Sequence, residues 1–143
     1  METGAYLRLI FGKVNKAIER IDRKSITDTG LNVSDFSILE ALLHKGPMPI
    51  NTVGEKVLLT SGSMTAAANR LESKGLVERV RDPKDGRSFY LHLTKTGLKL
   101  IRNAYQKHSE NLEKTFACLN ENERKDLVRL LKKVGFHAVQ VKA

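Results

Sequence analysis

The sequence predicts a mainly α protein with one small β element, an α+β chain whose helices do most of the burying. Three observations predict it. Apolar residues recur at intervals of three and four in six separate stretches; strict alternation is confined to the two flanks of Asp82-Pro83-Lys84-Asp85-Gly86; and the breaks between stretches fall on capping or breaking residues such as Gly46-Pro47, Gly75 and Asn120.

The elements follow in order. Leu7, Ile10, Phe11, Val14, Ile18 and Ile21 form one stripe of a first helix of about 20 residues, interrupted by Gly30 and Asn32. Ser34 offers an N-cap for a second helix carrying Phe36, Leu39, Leu42 and Leu43, which Gly46-Pro47 stops. Ile50, Val53 and Val57 mark a short third helix, closed near Leu58-Leu59. Thr60 or Ser61 caps a fourth, with Met64, Ala67, Ala68 and Leu71 inward and Gly75 as terminator. Val77, Arg79 and Arg81 then alternate with Glu78 and Val80, turn chemistry fills residues 82–86, and Phe89, Leu91 and Leu93 alternate again, which reads as a hairpin with a basic tip. Thr94 caps a long helix through Leu98, Ile101, Tyr105, Leu112 and Phe116. Asn120 with Glu123 three residues on is a capping-box variant opening a last helix along Leu127, Leu130, Leu131 and Val134.

Composition narrows the function. With 143 residues and 41% hydrophobic content the chain is long and apolar enough for one packed domain, or a domain with an interaction arm, and is not disordered on composition. Its longest aliphatic or aromatic run is Phe116 to Leu119, far short of the roughly 20 residues that span a bilayer, so no membrane role is expected. Arg8, Lys13 and Lys16 break up the N-terminal apolar residues, unlike a secretory signal, and a cytoplasmic location is expected. Cys118 is alone, and His44, His92, His108 and His137 have no ligand spacing, so no disulfide, metal site or cofactor is expected. The net charge is +9, and more than half of it falls between Arg79 and Arg102. A solvated basic face is the plain explanation of such a cluster; its neighbours argue for an anionic partner.

Two short helices joined by a tight turn, the second rich in small and hydroxylated residues, followed at once by a basic hairpin, match a winged helix-turn-helix. A major groove about 12 Å wide admits such a helix, and short polar side chains near its start can approach base edges. Thr60, Ser61, Gly62, Ser63 and Thr65 meet that requirement, with Asn69 and Arg70 farther along. Taken alone, the same stretch is also an ordinary capped helix whose hydroxyls satisfy their own backbone. On the hairpin, Arg79, Arg81, Lys84 and Arg87 share a protruding ribbon, and one arginine there is placed to enter a narrow minor groove. Asp85 and Arg87 are expected to pair to hold the tip. Together the helix and the ribbon point to double-stranded DNA.

Leu59-Thr60-Ser61-Gly62-Ser63-Met64-Thr65, Arg70-Leu71-Glu72-Ser73-Lys74-Gly75-Leu76-Val77, Asp82-Pro83-Lys84-Asp85-Gly86-Arg87 and Leu93-Thr94-Lys95-Thr96-Gly97 together resemble the MarR family of bacterial transcriptional regulators, over roughly residues 5 to 140. The resemblance implies a homodimer with intertwined terminal helices, recognition helices in successive major grooves and wings in flanking minor grooves. Arg87 matches the family's wing-tip arginine and Asp85 its usual partner. Ala66 and Asn69 depart from it, many members having a basic and an acidic residue there. Ser61 to Thr65 and Lys133 to Ala138 resemble a subgroup that responds to quinones and related electrophiles.

This yields three expected segments: residues 1–30 as an N-terminal dimerisation helix, 31–94 as the DNA-binding domain and 95–143 as C-terminal dimerisation helices. The apolar stripes of the terminal helices exceed what the central domain needs and suit a second copy, although they can also fold back on their own domain. The family's usual ligand response points to a cleft for a small aromatic or electrophilic effector, for which Phe11, Phe36, His44, Tyr105 and His108 are candidates, although aromatic residues at helical spacing are more often plain core. Cys118 is a candidate redox thiol, with Lys114 one turn upstream, or else an inert buried side chain. No phosphate-cradling loop, paired-Cys motif or His-Glu-x-x-His occurs, so an enzyme is not expected. The expected function is a sequence-specific, ligand-responsive repressor acting on a pseudopalindromic operator. Its rivals are a sequence-indifferent nucleoid protein and a protein-binding winged helix.

Overall fold

A computed structural model describes residues 2–143. The chain runs α1 (Thr3–Thr27), α2 (Val33–Lys45), β1 (Met48–Pro49), α3 (Ile50–Lys56), α4 (Ser61–Ser73), β2 (Val77–Arg81), β3 (Phe89–Leu93), α5 (Lys95–Thr115) and α6 (Glu121–Gln140). This is the mainly helical architecture with a small β-wing that the periodicity predicts.

The caps explain most boundaries. Thr60 accepts from the Ser63 backbone N–H, Thr94 from that of Gly97, and Asn120 and Glu123 complete a reciprocal capping box. Two readings are corrected. Asn32, not Ser34, caps α2: its Oδ1 accepts from the Asp35 N–H at 2.7 Å, which puts Ser34 inside the first turn and Asp35 at the third helical position. α1 spans 25 residues, longer than its apolar stripe suggested: it starts at Thr3, a turn before Leu7, and runs past Ile21 to Thr27, where Ile26 is buried.

The sheet has three antiparallel strands in the order β1-β3-β2. The hairpin pairs Val77 with Leu93 and Arg81 with Phe89. β1, which the sequence did not reveal, pairs Met48 with Leu91 and Pro49 with Tyr90 on the other edge of β3. Two residues show no period, and Pro49 is tolerated because the strand is an edge.

The core lies under the central domain. Phe36, Ile38 and Leu39 of α2, Val53 of α3, Met64, Ala67, Ala68 and Leu71 of α4, Val77, Leu91 and Ile101 are all essentially inaccessible. The four inward positions of α4 are those its helical spacing gave. α6 is the opposite case: none of its residues is buried. Leu127, Val128, Leu130, Leu131, Val134, Phe136 and Val139 stand exposed along it, as do Tyr6, Leu7, Leu9, Ile10, Phe11 and Val14 on α1. No helix among the described residues is long and apolar enough to cross a membrane.

Candidate nucleic-acid interface

α3 and α4 cross tightly where Gly54 faces Met64. A Cβ on Gly54 would stand 3.1 Å from Met64 Cγ, a contact so tight that the methionine would have to shift by a few tenths of an ångström to admit it, and the Leu59 N–H closes the turn on the Gly54 carbonyl at 2.9 Å. The crossing buries one face of α4 and leaves Thr60, Ser61, Gly62, Ser63, Thr65, Ala66 and Asn69 exposed. The Thr60 hydroxyl is spent on its cap, and that of Thr65 donates to the Ser61 carbonyl at 2.9 Å. Ser61 and Ser63 have no side-chain partner among the described residues, so theirs are the unengaged hydroxyls beside the first-turn N–H groups, where a helix favours an anion.

The wing is held by backbone-directed carboxylates. Asp82 accepts from the Lys84 N–H at 2.9 Å, and Asp85 from the Arg87 N–H at 3.0 Å and the Ser88 hydroxyl at 3.3 Å. The expected Asp85–Arg87 pairing therefore runs through the main chain, and the Arg87 guanidinium has no ion-pair partner among the described residues. Arg81 lies 5.4 Å from the centre of the Phe89 ring, a cation–π contact that steadies the base of the loop. Lys84 is exposed at the tip. Arg87 and Thr65, together with Asn51 at the start of α3, border one surface hollow of about 220 Å³. The wing arginine and the recognition helix thus open on the same side.

Two arginines of the expected contact set are engaged elsewhere. Arg70 forks onto Asp35, with Nη2 at 2.7 Å from Oδ1 and Nε at 3.2 Å from Oδ2. Arg79 donates from Nη2 to the Asn69 side-chain carbonyl and lies 3.7 Å from Glu72. Asp35, the residue that organises this side of α4, was missed: an acid in an apolar helix carries no sign in the sequence of being enclosed.

Four of the five effector candidates, Phe36, His44, Tyr105 and His108, form a seam between α2 and α5. His108 is buried, packs edge-on to Phe36 with centroids 5.0 Å apart, and holds Asp22 of α1 at 3.0 Å through Nε2 and Ser25 at 3.3 Å through Nδ1. His44 and Tyr105 meet edge-on at 4.6 Å. Between these pairs Glu40 has its pKa raised, chiefly by burial, against the opposing pull of His108 and His44. Phe11 is 59% exposed on α1. Beside the seam, a cleft of about 370 Å³ between the end of α1 and α5 is lined by Ser25, Asp28, Thr29, Leu100, Asn103, Ala104, Lys107 and Asn111. None of the five candidates lines that cleft. Cys118 is exposed, which corrects the buried alternative. No group of three potential metal-ligating side chains gathers among the described residues.

A helix-turn-helix crossing, a free first turn on its second helix and a basic ribbon opening beside it define a transcriptional regulator of the winged-helix class. The family model described as MarR family matches residues 29–88. The HTH-type transcriptional regulator YkoM of Bacillus subtilis, itself uncharacterised, is 33% identical over 96% of this chain and 90% of its own length. MhqR of the same organism, also an HTH-type transcriptional regulator, is 32% identical over 97% of this chain and 96% of its own. Among solved structures, a mutant of MarR from E. coli complexed with operator DNA superposes with a TM-score of 0.77 at 24% identity, covering 90% of this chain and 92% of that one. The chain belongs to the MarR family.

Proposed function

We propose that this regulator is a homodimeric, effector-responsive repressor, working in the cytoplasm, that reads a pseudopalindromic operator. The observation that carries the reading is the shared opening of Thr65 and Arg87 on one face. With the first turn of α4 in a major groove, Ser61, Ser63 and Gly62 approach base edges, Thr60 and Thr65 shape the turn, Asn69 lies at its far end, and Arg81, Lys84 and Arg87 reach across the backbone toward the minor groove. Asp85 holds the tip.

Residues 31–94 form the reading domain in this scheme, while 1–30 and 95–143 supply the dimer. The apolar faces of α1 and α6 are the surfaces a second copy covers, and two-fold pairing sets two recognition helices about 34 Å apart. A small aromatic or electrophilic effector, of the quinone type that the sequence resemblance implies, acts between the helices and the reading domain, at the α2–α5 seam or through the exposed Cys118. Such an effector shifts the protein only by binding one separation of the heads more tightly than the other.

The test is selection of bound fragments from the source genome, followed by competition at fixed salt. A regulator prefers the selected pseudopalindrome over a shuffled duplex by roughly a thousandfold or more. Equal affinity for both would leave a sequence-indifferent, nucleoid-type binder instead.

A further inference from the structure

We propose that Arg70 and Arg79 are positioning residues that fasten the recognition helix and the wing into one rigid head, and that neither contacts DNA. This rests on the operator-reading function proposed above.

Asp35 shows why. Its side chain is 0% exposed, so its carboxylate has no water to turn to, and it takes two bonds from the Arg70 fork with Lys74 Nζ a further 3.8 Å away. A carboxylate enclosed in this way depends on its cations, and drawing Arg70 toward a phosphate would strand the charge. Arg70 is thereby committed to joining α4 to α2. Arg79 makes the corresponding link on the wing. It reaches from β2 to Asn69 and Glu72, one turn apart on α4, and its Nε is inaccessible to solvent with no hydrogen bond of its own.

All of these ties attach to α4 between Asn69 and Lys74. The first turn, where Ser61 and Ser63 stand free, carries none. The helix is therefore gripped at its C-terminal half from two sides, by α2 and by the wing, and presented at its N-terminal half. A head fixed before it meets DNA loses less freedom on binding, and the angle between helix and wing decides whether major- and minor-groove contacts are made together.

Removing the acceptors separates a strut from a DNA contact, because it leaves every cation in place and lowers the negative charge. The Glu72→Gln protein, and separately Asp35→Asn, would be compared with wild type on the selected operator and on a shuffled duplex, with folding checked by circular dichroism. If the arginines are struts, operator affinity falls by roughly three- to thirtyfold, affinity for the shuffled duplex holds or rises, and the preference narrows. If they are contacts held back by these partners, operator affinity rises and its salt dependence steepens, which overturns the proposal. Should Asp35→Asn not fold, the exposed Glu72 still decides the matter. Wild-type protein without operator preference would instead defeat the function on which the proposal rests, an outcome distinct from tighter binding by the variants.

Discussion

Asp85 grips Arg87 by its backbone N–H, at 3.0 Å, and leaves the guanidinium at the wing tip uncommitted. The loop is therefore shaped by main-chain bonds that survive loss of the arginine side chain. Arg87→Ala is expected to keep the dimer and the fold, to weaken operator binding, and to flatten the slope of log affinity against log salt by about 1.8 for the two phosphate-region charges removed, one from each protomer. Fluorescence anisotropy over a salt series checks this, with sedimentation for assembly. An unchanged slope would take the wing tip out of the interface.

The uncovered side of α6 makes a second prediction. Leu131 and Val134 lie in its exposed apolar row, where a buried charge is not tolerated without a partner. Val134→Asp is expected to shift sedimentation to the single chain at micromolar concentration and to abolish operator binding with α4 untouched. A dimer that persists would move the pairing surface away from α6.

Glu40 gives a pH dependence. Burial raises its folded-state pKa above the ordinary glutamate value, so the folded protein holds that proton more tightly than the unfolded chain does. Below the unfolded pKa both states are protonated and the residue is neutral to stability; as pH rises through the folded pKa the enclosed carboxylate ionises and stability falls. Glu40→Gln removes this dependence. Urea midpoints should be higher than wild type at neutral pH and converge with it below about pH 4. A variant less stable at pH 7 would mean that attraction from His108 and His44 outweighs desolvation.

Gly97 is a steric prediction. A Cβ there would lie 1.9 Å from the Leu76 carbonyl oxygen, a backbone atom that also accepts the Thr94 N–H at 3.1 Å. Gly97→Ala must force α5 away from the wing and is expected to cost about 3 kcal/mol or more, read from denaturant midpoints. A loss of under ~1 kcal/mol would show the seam to be compliant.

What the sequence disclosed was local. Capping and periodicity located every helix, the four inward residues of α4 and the hairpin, because those signals span only a few residues. Asn32, which reads only as a break after the first helix, is the cap of α2, and that shows only in its extended backbone and its bond from the Asp35 N–H. β1 was too short to show alternation. The partners of two arginines in the expected contact set were out of reach for a different reason. Arg70 and Arg79 look like groove-side charges in a basic stretch, and their acceptors are fixed by tertiary packing: Asp35 lies 35 positions from Arg70. The meeting of Phe36 with His108 is out of reach for the same reason, since it exists only when α2 packs on α5.

The clearance at Leu76 and Gly97 has a mechanical meaning. Thr94 ties the same junction twice, through its N–H to Leu76 and its hydroxyl to Gly75 at 2.6 Å. The long helix and the ribbon are therefore pinned to each other by two hydrogen bonds beside a contact that admits no side chain.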